Sequence, residues 1–198
     1  MASSMVEIWN MALSHIGVKN FVTGPNEKSQ EAAVLSIWWL PSLDYVLADH
    51  PWPFAGKYAQ LGLVETVNPE WAYAYRYPSD CVHVRRICDP VGGRASPNPP
   101  PFVIGHDDDG KVIYTDQADA ILYYTVRVNE PERFDAKCVE ALSIYLASRI
   151  ANPLTRMPNL GKDLEDSYNR MIVKAAVKSS NEMQQDDPQE AEWIRARA

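Results

Sequence analysis

The chain has 198 residues, 46% of them apolar, with 26 acidic against 19 basic side chains and a net charge of −7. That is enough for one domain with a real core, or one domain with a sizeable insertion. An acidic balance repels phosphate, the main source of nucleic-acid affinity, and so argues against tight binding of DNA or RNA. Cys81, Cys88 and Cys138 are odd in number and widely spaced. They give no disulfide framework and read as buried or idle thiols in a reducing compartment. The first residues lack the basic start and apolar run of a secretory leader. No window approaches the roughly 18 apolar residues that a membrane span requires. The expectation is a soluble product made in a cytoplasm.

Val6 to Ile16 reads as a first helix, with Met5, Ile8, Ala12 and Ile16 on one stripe and Gly17 as its stop. After a loop through Gly24-Pro25, a longer helix is expected from about Ser29 to Asp49. There Ala32, Leu35, Trp39, Leu43 and Val46 recur three to four apart as one buried face. Pro41 removes a backbone donor and is expected to kink or divide that helix near Ile37–Leu40. Pro51 and Pro53 end it.

Residues 54–131 change character. Runs rich in Tyr, Val and Ile alternate with turn residues, as in antiparallel strands. The expected strands are Lys57–Val64, Ala72–Tyr77, Val82–Cys88, Phe102–Ile104, Lys111–Thr115 and Ala120–Val128. Val91–Pro101, with Gly92-Gly93 and four prolines, reads as an exposed loop, and Asp109-Gly110 as a turn between two strands.

Helical period returns at Phe134. Cys138, Leu142, Tyr145 and Arg149 trace one line, and Val139, Leu142, Leu146 and Ile150 another. Two such lines predict a central, mostly buried helix, ended by Asn152-Pro153. A last helix is expected from about Leu160 to Val177. Leu160, Leu164, Tyr168, Met171 and Ala175 face inward, and Asp166 and Arg170 stand in the favourable acid-first order outside. Residues 179–198 form a polar tail interrupted by Trp193-Ile194. The expected architecture is α+β: an antiparallel bundle of about four helices (residues 1–53 and 132–178), an inserted antiparallel β region (54–131) and an extended C-terminal tail.

No constellation for catalysis, cofactor or metal binding rises above background. His106-Asp107-Asp108-Asp109-Gly110 lacks the alternating acids and distal glutamate of a calcium loop and reads as a solvated hairpin turn. His15, His50, His83 and His106 are scattered, although His15 lies near a helix end where partial positive charge is favoured. Ser79, Asp80, Cys81 and His83 lack a nucleophile elbow. Glu65, Glu70 and Asp80 could form a carboxylate pair only as any acidic chain could. Gly92-Gly93 lacks the Lys-Ser/Thr of a phosphate loop.

The densest feature is aromatic. Trp52, Phe54, Trp71, Tyr73, Tyr75 and Tyr77 lie close in sequence and are punctuated by Pro51, Pro53 and Pro78. A stacking platform for bases or sugars would want a basic groove, and only Lys57, Arg76, Arg85 and Arg86 are near. Core and subunit-interface packing is the favoured reading, because large rings dominate burial energies. Pro51, Trp52, Pro53, Phe54, Tyr75, Arg76, Pro78 and Asp80 are the candidate residues of this rigid corner. Trp193 and Ile194, with Arg195 and Arg197, read either as a staple onto the chain's own helices or as an anchor for a partner.

Asp49-His50-Pro51-Trp52-Pro53-Phe54-Ala55, preceded by Leu43-Asp44-Tyr45-Val46-Leu47, resembles the helix-ending motif of the tail tubular protein A family. These are head-to-tail adaptors of short-tailed bacteriophages. The likeness continues through Tyr73-Ala74-Tyr75-Arg76-Tyr77-Pro78-Ser79-Asp80-Cys81, at Asn10-Met11-Ala12-Leu13 with Ile16-Gly17, over Phe134 to Leu154, and in Glu192-Trp193-Ile194 with Ala196-Arg197. It covers nearly the whole chain in order. Tyr77 stands where the family usually has an aliphatic residue, and Pro53 where a polar one is common. The resemblance implies a non-enzymatic virion protein, assembled in the host cytoplasm into a ring of twelve copies beneath the portal. The ring would extend the channel through which double-stranded DNA passes without specific binding, and would carry the nozzle, tail tubular protein B. The C-terminal tail would contact the portal protein. Two other readings remain open from sequence: a virion-associated peptidoglycan hydrolase, and a cytoplasmic interaction domain unrelated to virions.

Overall fold

A computed structural model describes residues 4–65, 68–88 and 99–183. It has four helices, α1 (Met5–His15), α2 (Gln30–Asp49), α3 (Ala136–Thr155) and α4 (Pro158–Met183). Between α2 and α3 lie the strands β1 (Gly56–Gln60), β2 (Leu63–Val64), β3 (Tyr73–Arg76), β4 (Cys81–Cys88), β5 (Phe102–Asp107), β6 (Gly110–Thr115) and β7 (Ile121–Val126). The fold is α+β, with two antiparallel sheets in the orders β1-β7-β4 and β2-β3-β6-β5.

The helix ends follow local chemistry. Ser4 and Ser29 accept from Glu7 N and Ala32 N, and Asp135 accepts from Cys138 N, so each start has a side-chain cap. Gly17 closes α1 at φ +74°, with Gly17 N donating to Ser14 O and Val18 N to Leu13 O. That left-handed step satisfies two of the orphan carbonyls at the helix end. The following loop is held by Asn10, whose amide donates to Val22 O and accepts from Val22 N.

The expected division of α2 at Pro41 does not occur, and the expected end of α3 at Asn152-Pro153 falls two residues later. α2 runs unbroken through Pro41, and α3 runs through Pro153 to end at Arg156, which is left-handed at φ 58°. Both prolines lie on exposed faces. The carbonyl four residues earlier, at Ile37 or Arg149, loses its helical donor on the side that water reaches, so neither helix needs to stop.

The expected antiparallel helical bundle is also corrected. α3 is a hub that packs on α1, α2 and α4, and α2 in addition reaches β4. The reason is burial on two faces of α3, where Cys138, Ala141, Leu142, Leu146, Ala147, Ile150 and Ala151 are all fully enclosed. Around such a rod the other helices form a layer instead of pairing into a closed bundle. Gly161 lets α4 approach closely, because a Cβ there would lie 3.0 Å from Ser148 O. α2, α3 and α4 meet at a tyrosine cluster. Tyr45 stacks on Tyr145 at 4.3 Å, and Tyr168 donates to Asp49 Oδ2 at 2.8 Å.

The helical core takes in Trp52, Val128 and Phe134 beside residues of all four helices. A second core lies between the sheets. Val84, Ile87, Leu122 and Tyr124 of the first sheet meet Tyr75 and Ile113 of the second. The outer face of the second sheet buries Ala74, Val112 and Tyr114 under Val64 and Trp71. The order is therefore helices, sheet, sheet. The single strand expected over Lys57–Val64 is two strands in different sheets. The chain crosses between them at Leu61-Gly62, where Leu61 N donates to Ala120 O and Gly62 O accepts from Arg76 N.

Candidate interaction surfaces

The segment that ends α2 is built around one indole. Trp52 is 1% exposed, and its Nε1–H donates to Val46 O at 2.8 Å. Val46 O is one of the four last-turn carbonyls that a helix leaves without a donor, so the side chain caps the helix that it follows. Pro51 and Pro53 deny α2 further turns, and Pro53 opens a short 3-10 turn, Pro53–Ala55. His50 packs edge-on against Trp52 at 4.6 Å, and Phe54 meets Phe134 at 5.5 Å.

Arg85 ties this corner to the first sheet. Its guanidinium donates to Trp52 O at 2.7 Å, to Thr125 Oγ1 at 2.9 Å and to Tyr123 OH at 2.6 Å. Gly56 leaves room for that clamp, since a Cβ there would meet Tyr123 OH at 2.7 Å and Arg85 Nη1 at 3.1 Å. A second tie joins α2 to the strand end beyond β7, where Arg127 Nε donates to Asp44 Oδ1 at 2.7 Å within a two-pronged ion pair.

Asp80 and Arg76 are anchors elsewhere. Asp80 accepts from Lys57 Nζ at 2.6 Å and from Tyr124 OH at 2.9 Å, and its carbonyl accepts from Arg127 N. Burial pushes its pKa up, but the donors from Lys57 and Tyr124 outweigh this and hold the carboxyl below its ordinary value. Pro78 O accepts from Cys81 N and so starts β4. Arg76 grips Asp107 with two hydrogen bonds at 2.8 and 2.9 Å. The sequence reading of 106–110 as a hairpin turn holds, with Asp107 opposite Gly110, but Asp107 is pinned by Arg76 and not simply solvated. Tyr75 is buried between the sheets and donates to Gln117 O at 2.9 Å. The eight corner residues thus fall into separate groups: Trp52 and Phe54 under the helices with Pro51 and Pro53 beside them, Tyr75 between the sheets, and Arg76, Pro78 and Asp80 at strand ends. Trp193, Ile194, Arg195 and Arg197 lie outside the described residues.

His15 lies in the last turn of α1. Burial lowers its pKa, with Glu140 pulling weakly the other way, and its Nε2 sits 3.2 Å from Ser143 Oγ. Burial lowers His50 in the same way, against the pull of Asp135. Among the described residues, no group of three or more His, Cys, Asp or Glu could hold a metal ion, and no helix is long and apolar enough to cross a membrane.

The surface that sequence reasoning missed is the outer face of α2. Ile37 is 67% exposed, Leu40 49% and Trp38 36%, with Tyr45 and Pro41 also exposed and Val34 half-buried. Ile37, Trp38 and Pro41 follow helical spacing on the side away from the buried Leu35, Trp39, Leu43 and Val46, while Tyr45 packs on Tyr145 and Tyr168 and Val34 on the helical core. A signal was present: Ile37 to Pro41 is an unbroken apolar run, and one stripe cannot account for it. A lone exposed leucine is ordinary, whereas a contiguous apolar ridge marks a place where another surface packs.

No model of a protein family matches this sequence, and no curated protein matches it.

Replacing Trp52 by Phe keeps one aromatic six-membered ring but removes the N–H that caps Val46 O. The expected loss is about 1–3 kcal/mol, the cost of an unmet buried acceptor, read from the urea midpoint. The histidines set a second expectation. With both folded values depressed, the unfolded chain takes up protons first, so stability falls as pH drops below about 6.5 towards the folded pKa values. Urea titrations at successive pH values should show that slope, and His15→Gln with His50→Gln should flatten it.

Proposed function

We propose that this chain is a structural subunit that packs against copies of itself in a ring, and that the ring is the head-to-tail adaptor of a short-tailed phage virion. The observation that carries the reading is the apolar ridge Ile37–Trp38–Leu40–Pro41 on a helix whose opposite face is already committed to the core. In a ring of identical subunits such a ridge meets a different surface of the next copy, and closure leaves no ridge uncovered. The ordered likeness to the tail tubular protein A family supplies the rest: twelve copies, the portal above, the nozzle protein below and DNA passing through the centre.

Other features support it. A net charge of −7 suits a channel that lets DNA pass without holding its phosphates. Arg85, Arg127 and Trp52 fasten the helices to the first sheet, so a load on the ridge passes into the sheets. In this reading the α+β body forms the collar, the sheets face a neighbour or the nozzle, and Trp193, Ile194, Arg195 and Arg197 reach the portal. The assembled ring resides in the virion neck. No catalytic step, cofactor or metal is part of the proposal. Free subunits are expected to stay apart until a portal template aligns them.

The test mixes purified chain with isolated portal rings and follows co-assembly by size exclusion and electron microscopy. Trp38→Glu and Ile37→Asp should fold normally yet weaken incorporation about thirty-fold or more, because a buried aromatic anchor commonly carries ~2 kcal/mol or more of an interface. Truncation after Asn181 should abolish portal docking. Unchanged incorporation of the ridge variants would refute the ring packing, and failure of the intact chain to join portal rings would refute the adaptor role.

A further inference from the structure

A groove of about 860 Å³ runs between α1, the loop after it and the start of α3, lined by Met11, Phe21 and Val139 with Glu140 on its rim. Phe21 is 56% exposed and Met11 37%, so an apolar floor stands open. α4 runs back along α3, because Arg170, Met171, Lys174 and Ala175 share a second depression with Lys137, Glu140 and Ile144. Glu140 borders both. α4 therefore delivers the chain to the end of the molecule where the groove opens, and eight further residues of helix, about 12 Å, lie between Ala175 and Met183.

The segment beyond carries complementary chemistry in a matching order. Asp186, Asp187, Glu190 and Glu192 come first, then Trp193-Ile194, then Arg195 and Arg197. The acidic stretch suits the Lys137–Arg170–Lys174 side, the two large apolar residues suit the floor, and Arg195 suits Glu140. Nine residues lie between Met183 and Trp193, and the ten Cα steps reach up to about 33 Å when extended. We propose that the groove is the seat of this chain's own segment Trp193–Arg197, held within the same molecule. An arm stored in this way is kept from other apolar surfaces until a competing partner draws it off. The inference needs only the groove and the segment and does not rest on the adaptor reading.

The test uses the full chain with the photo-reactive residue p-benzoylphenylalanine in place of Ile194, irradiated at successive dilutions and mapped by mass spectrometry. The expected product is an adduct within one chain, independent of concentration, to a peptide containing Met11, Phe21 or Val139. Glu140 is exposed, so Glu140→Arg should leave folding intact and cut the yield by a factor of about three to ten. Adding Arg195→Glu should restore it. No adduct, an adduct elsewhere on the chain, or one joining two chains in proportion to concentration would each overturn the proposal. Portal binding is measured separately, so this inference and the adaptor role can fail independently.

Discussion

α2 has to satisfy two apolar faces with one helix. Ala32, Leu35, Trp39, Leu43 and Val46 turn inward and are enclosed, which leaves Ile37, Trp38 and Leu40 turned out. A twenty-residue helix of this kind keeps its place only if the inner face is firmly anchored, since otherwise either face could seek the core. The rest of the molecule is organised around that anchoring. α3 lies beneath α2, apolar on two sides, so it accepts α2 on one and α4 on another while α1 fills a third position.

The anchoring is mostly polar at its edges. Trp52 caps the last turn through Val46 O, Tyr168 reaches Asp49 in the same turn, and Arg127 holds Asp44 one turn earlier. Arg85 then carries the corner into the first sheet through Trp52 O and Thr125. Each contact fixes rotation of α2 about its axis, and that rotation decides which residues stand on the ridge. The aromatic-and-proline segment is thus connected to the outward surface without being part of it.

Much of the fold was legible in sequence, and the failures have physical causes. The helices and the inward lines of α2 and α4 were readable because burial follows the helical period, whereas the caps Ser4, Ser29 and Asp135 became visible only in the structure. The strands were readable, apart from the break at Leu61-Gly62, because period-two patterning cannot report that one run serves two sheets. Pro41 does not divide α2 and Pro153 does not stop α3 because a proline's effect depends on whether water reaches the carbonyl it frees, which is a tertiary fact. The ridge was missed because only the stripe that matched a core was traced, although Ile37–Leu40 already exceeded it. Arg85 and Arg127 carried no local mark, since their partners lie 33 and 83 residues away in sequence.

The central claim is that the outer face of α2 is a contact surface. Oxidative footprinting of Trp38, in the free chain and after assembly on portal rings, tests this most directly. Trp38 should be modified readily in the free chain and protected in the assembled ring, while Trp52 stays unreactive in both. Equal oxidation of Trp38 in the two states would contradict the account.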